Sequence, residues 1–146
     1  MQFNWLNVFG AVIVALLLAP NILYAIKTKS AAPPEAHKAF VVIEQIGRYG
    51  CIAFMWLPLL VWEFGFSRKV YLLIYLFGSA VLLAAYYAVW ILYARRQTFG
   101  KALALSILPT VLFLLCGVLL RHVLLIVCAV LFGVGHIGVC RDTRQS

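Results

Sequence analysis

The chain has 146 residues, 66% of them hydrophobic and only 11% charged, and its mean hydropathy is +1.05. Soluble domains average about 45–50% apolar and about 25% charged residues, so a single core with a wetted surface is excluded and lipid must be the solvent for most of this chain. Lys and Arg number 12 against 4 Asp and Glu, for a net charge of +8, an excess that in so apolar a chain points to membrane topology and anionic lipid headgroups and away from nucleic acid.

A membrane helix needs about 20 predominantly apolar residues, and five segments of the chain supply them. The first runs from Phe3 to Ile26. No basic stretch precedes it and it is too long for the apolar part of a signal peptide, so it is expected to stay as the first span. The connection from Lys27 to Lys38 is the most polar in the chain, and Pro34 favours extended backbone at Pro33 and interrupts any helix there. The second span covers Ala39 to Trp62 and the third Val70 to Ala94. From Ala102 to Cys140 a predominantly apolar stretch about twice the length of one span is broken only by Arg121-His122, which predicts a helical hairpin of Ala102 to Leu120 and Val123 to Cys140. The expected fold is all-α, an integral membrane bundle of five transmembrane helices forming one domain over residues 1–146. An odd number of spans argues against a simple inverted repeat.

Orientation follows from the cations. With the N-terminus outside, the cytoplasmic side receives Lys27, Lys29, Lys38, Arg95, Arg96, Lys101, Arg141 and Arg144, and the outer side only Arg68, Lys69 and Arg121. The positive-inside rule therefore favours N-out and C-in. Trp5 and Trp62 then fall at the outer interface and Trp90 with Tyr93 at the inner one, where amphipathic rings settle.

Ionisable groups within a span cost about 2.5–3.5 kcal/mol each on insertion scales, so each needs a partner or a function. Glu44 and Arg48 stand one helical turn apart in the second span, within pairing reach on one face, and Gly47, Cys51 and Met55 continue that stripe. At about 1.5 Å per residue, Asn21, Glu44, Trp90, Ser106 and His136 all lie roughly 6–8 Å below the inner boundary, one hydrogen-bonding side chain from each span, with Arg48 above them. Asn21, Glu44, Arg48, Ser106 and His136 are the candidate ligand-binding residues. Their structural alternative is a buried pair and scattered interfacial groups that only fix packing. Pro20 and Pro109 lie beside this layer and free backbone carbonyls that it could use. Ala129, Gly133, His136 and Cys140 form a small-residue face in the last span that admits a close neighbour.

Catalytic and metal signatures are absent. The sequence has no GxSxG, HExxH, carboxylate-pair or glycine-rich phosphate motif, and its acids are Glu35, Glu44, Glu63 and Asp142. Cys51, Cys116, Cys128 and Cys140 show no metal-ligand spacing and are expected to be reduced thiols serving as small apolar groups. No cofactor, metal or catalytic residue is expected.

The segments Ala19-Pro20-Asn21-Ile22, Tyr24-Ala25-Ile26-Lys27, Glu44-Gln45-Ile46-Gly47-Arg48-Tyr49-Gly50-Cys51 and Ala102-Leu103-Ala104-Leu105-Ser106-Ile107-Leu108-Pro109 resemble a group of small bacterial multi-span membrane proteins without a characterised activity, over nearly the whole chain. That resemblance implies a bacterial inner membrane and brings no activity with it. The preferred expectation is transport or binding of a small polar or charged ligand at a cytoplasm-facing site. A non-catalytic accessory subunit is the alternative, and a lipid-modifying enzyme the third reading. Membrane lipids, a small polar or ionic ligand, and a second copy or a larger membrane protein are the expected partners, with no nucleic acid.

Overall fold

The computed structural model describes residues 6–28, 36–57, 59, 61 and 65–145. Of these residues 84% are helical, in five helices: α1 (Val8–Lys27), α2 (Lys38–Phe54), α3 (Lys69–Arg95), α4 (Phe99–Leu119) and α5 (Val123–Gln145). The all-α fold is as expected. Four of the helices, α1, α3, α4 and α5, are long and apolar enough to cross a membrane.

The exception is α2, which stops at Phe54 well short of the expected Trp62 and has 17 residues, about 26 Å at 1.5 Å per residue. Its boundary follows from the sequence. Pro58 can donate no backbone hydrogen bond and its ring conflicts with the carbonyl four residues earlier, that of Phe54. The helix closes through Met55 and Leu57, whose N–H groups donate to the Cys51 and Ala53 carbonyls at 3.1 and 3.0 Å. The proline-containing connection between Thr28 and Ala36, and the interfacial Trp5 and Trp62, lie outside the described residues.

Contacts between helices give the arrangement. Phe40 lies by Gly138, Glu44 by Gly135, Gly47 by Phe132 and Gly50 by Cys128, so α2 and α5 run antiparallel and nearly residue for residue. A Cβ on Gly135 would collide with the Glu44 backbone, and one on Gly47 with the backbone of Phe132. Only glycine permits so close an approach. Gly117 against Ile126, Thr110 against Gly133 and Phe99 under Arg144 show the same for α4 and α5, confirming the hairpin at Arg121-His122. Its turn is closed by Arg121 N–H to the Val118 carbonyl at 3.1 Å and His122 N–H to that of Gly117 at 2.9 Å, with Arg121 at φ 55; this is a Schellman ending.

α3 packs antiparallel on α4, and α1 parallel to α3, where Asn7 meets Tyr75 and Asn21 meets Tyr86. The helices thus alternate in direction along the chain, which puts the two ends of the bundle's chain on opposite faces. Around the bundle the order is α1, α3, α4, α5, α2. α1 returns to α2 at its beginning: Asn7 N–H donates to the Trp56 carbonyl at 3.0 Å, Asn7 Nδ2 to the Met55 carbonyl at 3.2 Å and to Tyr75 Oη at 3.1 Å, and Asn7 Oδ1 accepts from Gly10 N–H at 3.0 Å. One fully buried side chain therefore caps the start of α1 and the end of α2. Beyond this pin α1 and α2 pack little on each other, and a space lies between them, bounded by Val14, Leu17, Leu18 and Asn21 on one side and Arg48 and Ile52 on the other.

Candidate functional site

The space between α1 and α2 is a cavity of about 230 Å³ with walls from all five helices. Its polar residues are Asn21 from α1, Arg48 from α2, Tyr86 from α3 and His136 from α5. Leu17, Leu18, Ile52, Phe113 and Phe132 supply much of the apolar remainder.

Glu44 organises the polar wall from behind. Its side chain is 6% exposed, and the helical turn that separates it from Arg48 lets the guanidinium donate from Nη2 to Oε1. From α5, His136 Nδ1 reaches the same oxygen at 2.8 Å. An ionised carboxylate only accepts, so Nδ1 carries the proton and Nε2 is the ring's open atom; among the described residues it makes no hydrogen bond. The imidazole lies flat on Phe132, with centroids 5.2 Å apart and planes 18° from parallel. Gly135 fixes the meeting, because its missing side chain lets α5 reach Glu44 one residue before His136.

Arg48 is only partly covered, at 37% exposure. Apart from the bond to Glu44, its guanidinium N–H groups meet no acceptor among the described residues. Across the cavity, Asn21 Nδ2 donates to the Leu17 carbonyl at 3.2 Å and to Tyr86 Oη at 2.8 Å. Tyr86 is 2% exposed, and since its oxygen accepts from Asn21 its own proton is left to donate. Pro20 explains the neighbouring contact. Having no N–H, it frees the Leu16 carbonyl, which accepts from the Tyr87 hydroxyl at 2.6 Å.

Three of the sequence-predicted residues, Asn21, Arg48 and His136, line one cavity, and Glu44 joins two of them. Ser106 does not take part. It is fully buried, but its hydroxyl donates back to the Ala102 carbonyl at 3.1 Å and lies 3.1 Å from Cys140 Sγ. Trp90, expected in the same layer, instead packs with Tyr24 and Tyr93 at 5.2 and 5.8 Å between centroids. Tyr86 stands in its place on the cavity wall. The stripe Tyr75, Ser79, Tyr86 and Trp90 carries helical spacing along α3, and the buried members Tyr75, Ser79 and Tyr86 mark the inward face that the aromatic-belt reading passed over.

The cysteines are free thiols. Cys116 faces Ser79 on α3 at 3.6 Å and Cys128 sits by Gly50 of α2, so the two flanks of the hairpin turn look at different neighbours. Among the described residues no group of three or more His, Cys, Asp or Glu side chains could hold a metal ion.

Comparison of the chain with family models, with curated proteins and with solved structures finds no match.

Proposed function

We propose that this chain is a small multi-pass protein of a bacterial inner membrane, N-out and C-in, that binds and transports a small polar or charged ligand at the five-helix cavity. The observation carrying the proposal is Arg48. A guanidinium on the wall of an intramembrane cavity, with one donor satisfied by Glu44 and the rest facing open space, is costly unless water or a ligand meets it. A polar layer serving packing alone would have no use for a cavity there. The Lys/Arg-rich end of the bundle is the expected cytoplasmic face, and the proposed route of the ligand is from that side.

The test uses the full-length protein in detergent, screened for thermal stabilisation by a panel of small polar and ionic solutes and then, reconstituted in liposomes, for their flux. A ligand that binds only the folded protein raises Tm with the logarithm of its concentration once it exceeds Kd. Leu18→Trp, which fills the cavity and leaves Glu44, Arg48 and His136 in place, should abolish that response. If no solute stabilises the wild type, and Leu18→Trp melts higher than it, the proposal fails and the accessory-subunit reading takes its place. That second reading draws on Glu44, which satisfies both Arg48 and His136 within the fold.

A further inference from the structure

Resting on the ligand-binding reading above, we infer that the cavity takes a short-chain monocarboxylate, its head on Arg48 and Tyr86 and its tail of a few carbons along Leu17, Leu18, Ile52, Phe113 and Phe132.

The polar atoms left open decide the sign of the ligand. Open donors are the remaining guanidinium N–H groups of Arg48 and the hydroxyl proton of Tyr86; Asn21 Oδ1 is an open acceptor, and His136 Nε2 is unengaged. Glu44 is not on the wall, and its Oε1 already receives two donors. An ammonium ligand would face the cation of Arg48 and find no carboxylate free to meet it. An anion would complete the guanidinium, whose planar fork suits a carboxylate, and take the Tyr86 proton as a second donor. Arg48 and Tyr86 line the same cavity of about 230 Å³, and a head group seated between them would use donors from both.

Size and wall chemistry decide the rest. The cavity of about 230 Å³ holds roughly seven or eight water volumes of about 30 Å³ each, below the range of drug-sized sites. A phosphate would fit the volume, but more than half of the wall is apolar and would leave several of its oxygens without donors. A carboxylate concentrates its need for donors at one end and leaves a tail for the apolar side. Roughly four to six carbons fill the space at the volume of a methylene, close to that of a water.

The experiment titrates the purified full-length protein with butyrate, hexanoate, oleate, hexanol, hexylammonium and inorganic phosphate, following Tm and extracting an apparent Kd. Hexanoate and butyrate should raise Tm with the logarithmic concentration dependence of a single site, and the other four should not. Tyr86→Phe should weaken hexanoate about tenfold, the loss of one hydrogen bond to a charged group, and Arg48→Lys should weaken it at least as much by removing the fork. Ser106→Ala, off the cavity wall, should bind as wild type does and serves as the folded control if either variant fails to fold. Equal binding of hexanol would overturn the inference by making the pocket simply apolar, hexylammonium binding would reverse the sign, and phosphate or oleate binding without hexanoate would remove the short tail. In each of those cases ligand binding itself stands. If none of these six probes and no solute in the wider panel shifts Tm, both proposals fall together.

Discussion

Glu44 receives two donors on one oxygen, and that makes the two ends of the Glu44–Arg48 pair unequal. Glu44→Gln keeps the shape but turns the His136 bond from a charge-assisted one worth about 1.5–3 kcal/mol into a neutral one worth about 0.5–1.5 kcal/mol, a loss of about 1–1.5 kcal/mol, while the Arg48 bond keeps only the guanidinium's charge. The now uncompensated guanidinium adds a share of its insertion cost of about 2.5–3.5 kcal/mol, reduced because Arg48 is 37% exposed; a total of about 3 kcal/mol is expected. Arg48→Met removes one such bond but also a partly desolvated charge, and His136 remains on the carboxylate at 2.8 Å, so the expected loss is about 1–2 kcal/mol. The double variant strands no charge and should lose less than Glu44→Gln alone. In a His136→Phe background the carboxylate would have no second partner, and Arg48→Met should there cost about 3–5 kcal/mol, the penalty for breaking a buried pair. Unfolding in mixed micelles, followed by far-ultraviolet circular dichroism, measures each corner of the cycle. Additive losses, or a loss at Arg48 equal to that at Glu44, would refute the shared-oxygen account.

Gly135→Ala should destabilise by about 1–3 kcal/mol, because its methyl group would be driven into the Glu44 backbone and overpacking carries that penalty. Gly100→Ala, with open space around it, should be neutral or stabilising by up to about 1 kcal/mol; equal effects at the two sites in a Tm comparison would contradict the close α2–α5 contact. Asn7→Ala should cost about 2–3 kcal/mol in the same assay, since it strips a helix cap and leaves the Met55 carbonyl without its side-chain donor. His122, fully buried at the α4–α5 turn, has its pKa pushed down by burial, with a backbone contact to Leu57 opposing in part. The unfolded chain therefore binds the proton first as pH falls, and stability present above about 6.5, the ordinary histidine value, should decline below it. His122→Asn should flatten that decline, and a Tm profile with the same acid limb in both proteins would exclude His122 as its source. A reporter fused after the last residue should be active in the cytoplasm and one inserted between Phe64 and Lys69 should report the outside; the reverse pattern would refute the orientation.

Helix number, order and direction were all legible, because composition and the length of apolar runs are set by the bilayer before any packing occurs. The hairpin turn was legible for the same reason, Arg121 being the sole charge in its run. The end of α2 was not. Apolar content continues from Phe54 to Trp62, and a hydropathy reading carries the helix through it, whereas Pro58 ends it by sterics and a missing donor. Asn7 was equally hidden. Sequence places it among small and polar residues on one face of the first span, but its role as a cap arises only because α1 returns to the end of α2, a long-range contact that no local pattern encodes.

The candidate site divides along a similar line. Charge cost alone singled out Glu44 and Arg48, since an acid and a base inside an apolar run need an explanation wherever they point. Depth counting put His136, Asn21 and Ser106 in one layer, and the structure gathers the first two but not the third on one cavity, because depth fixes a residue's height in the membrane and says nothing of its azimuth around the helix. Ser106 turns toward Cys140 and its own preceding turn, the back-bonding available to any serine in a helix, while Leu105 and Pro109 on the same helix face the cavity. Tyr86 was missed for the converse reason. A tyrosine near a helix end is read as an interfacial anchor, yet with its hydroxyl bonded by Asn21 it belongs to the interior. Azimuth is set by which helices adjoin, and that order depends on the glycines. Gly47 and Gly135 draw α2 onto α5 and away from α1, so the small residues that carry no chemistry determine which polar residues come to share a cavity.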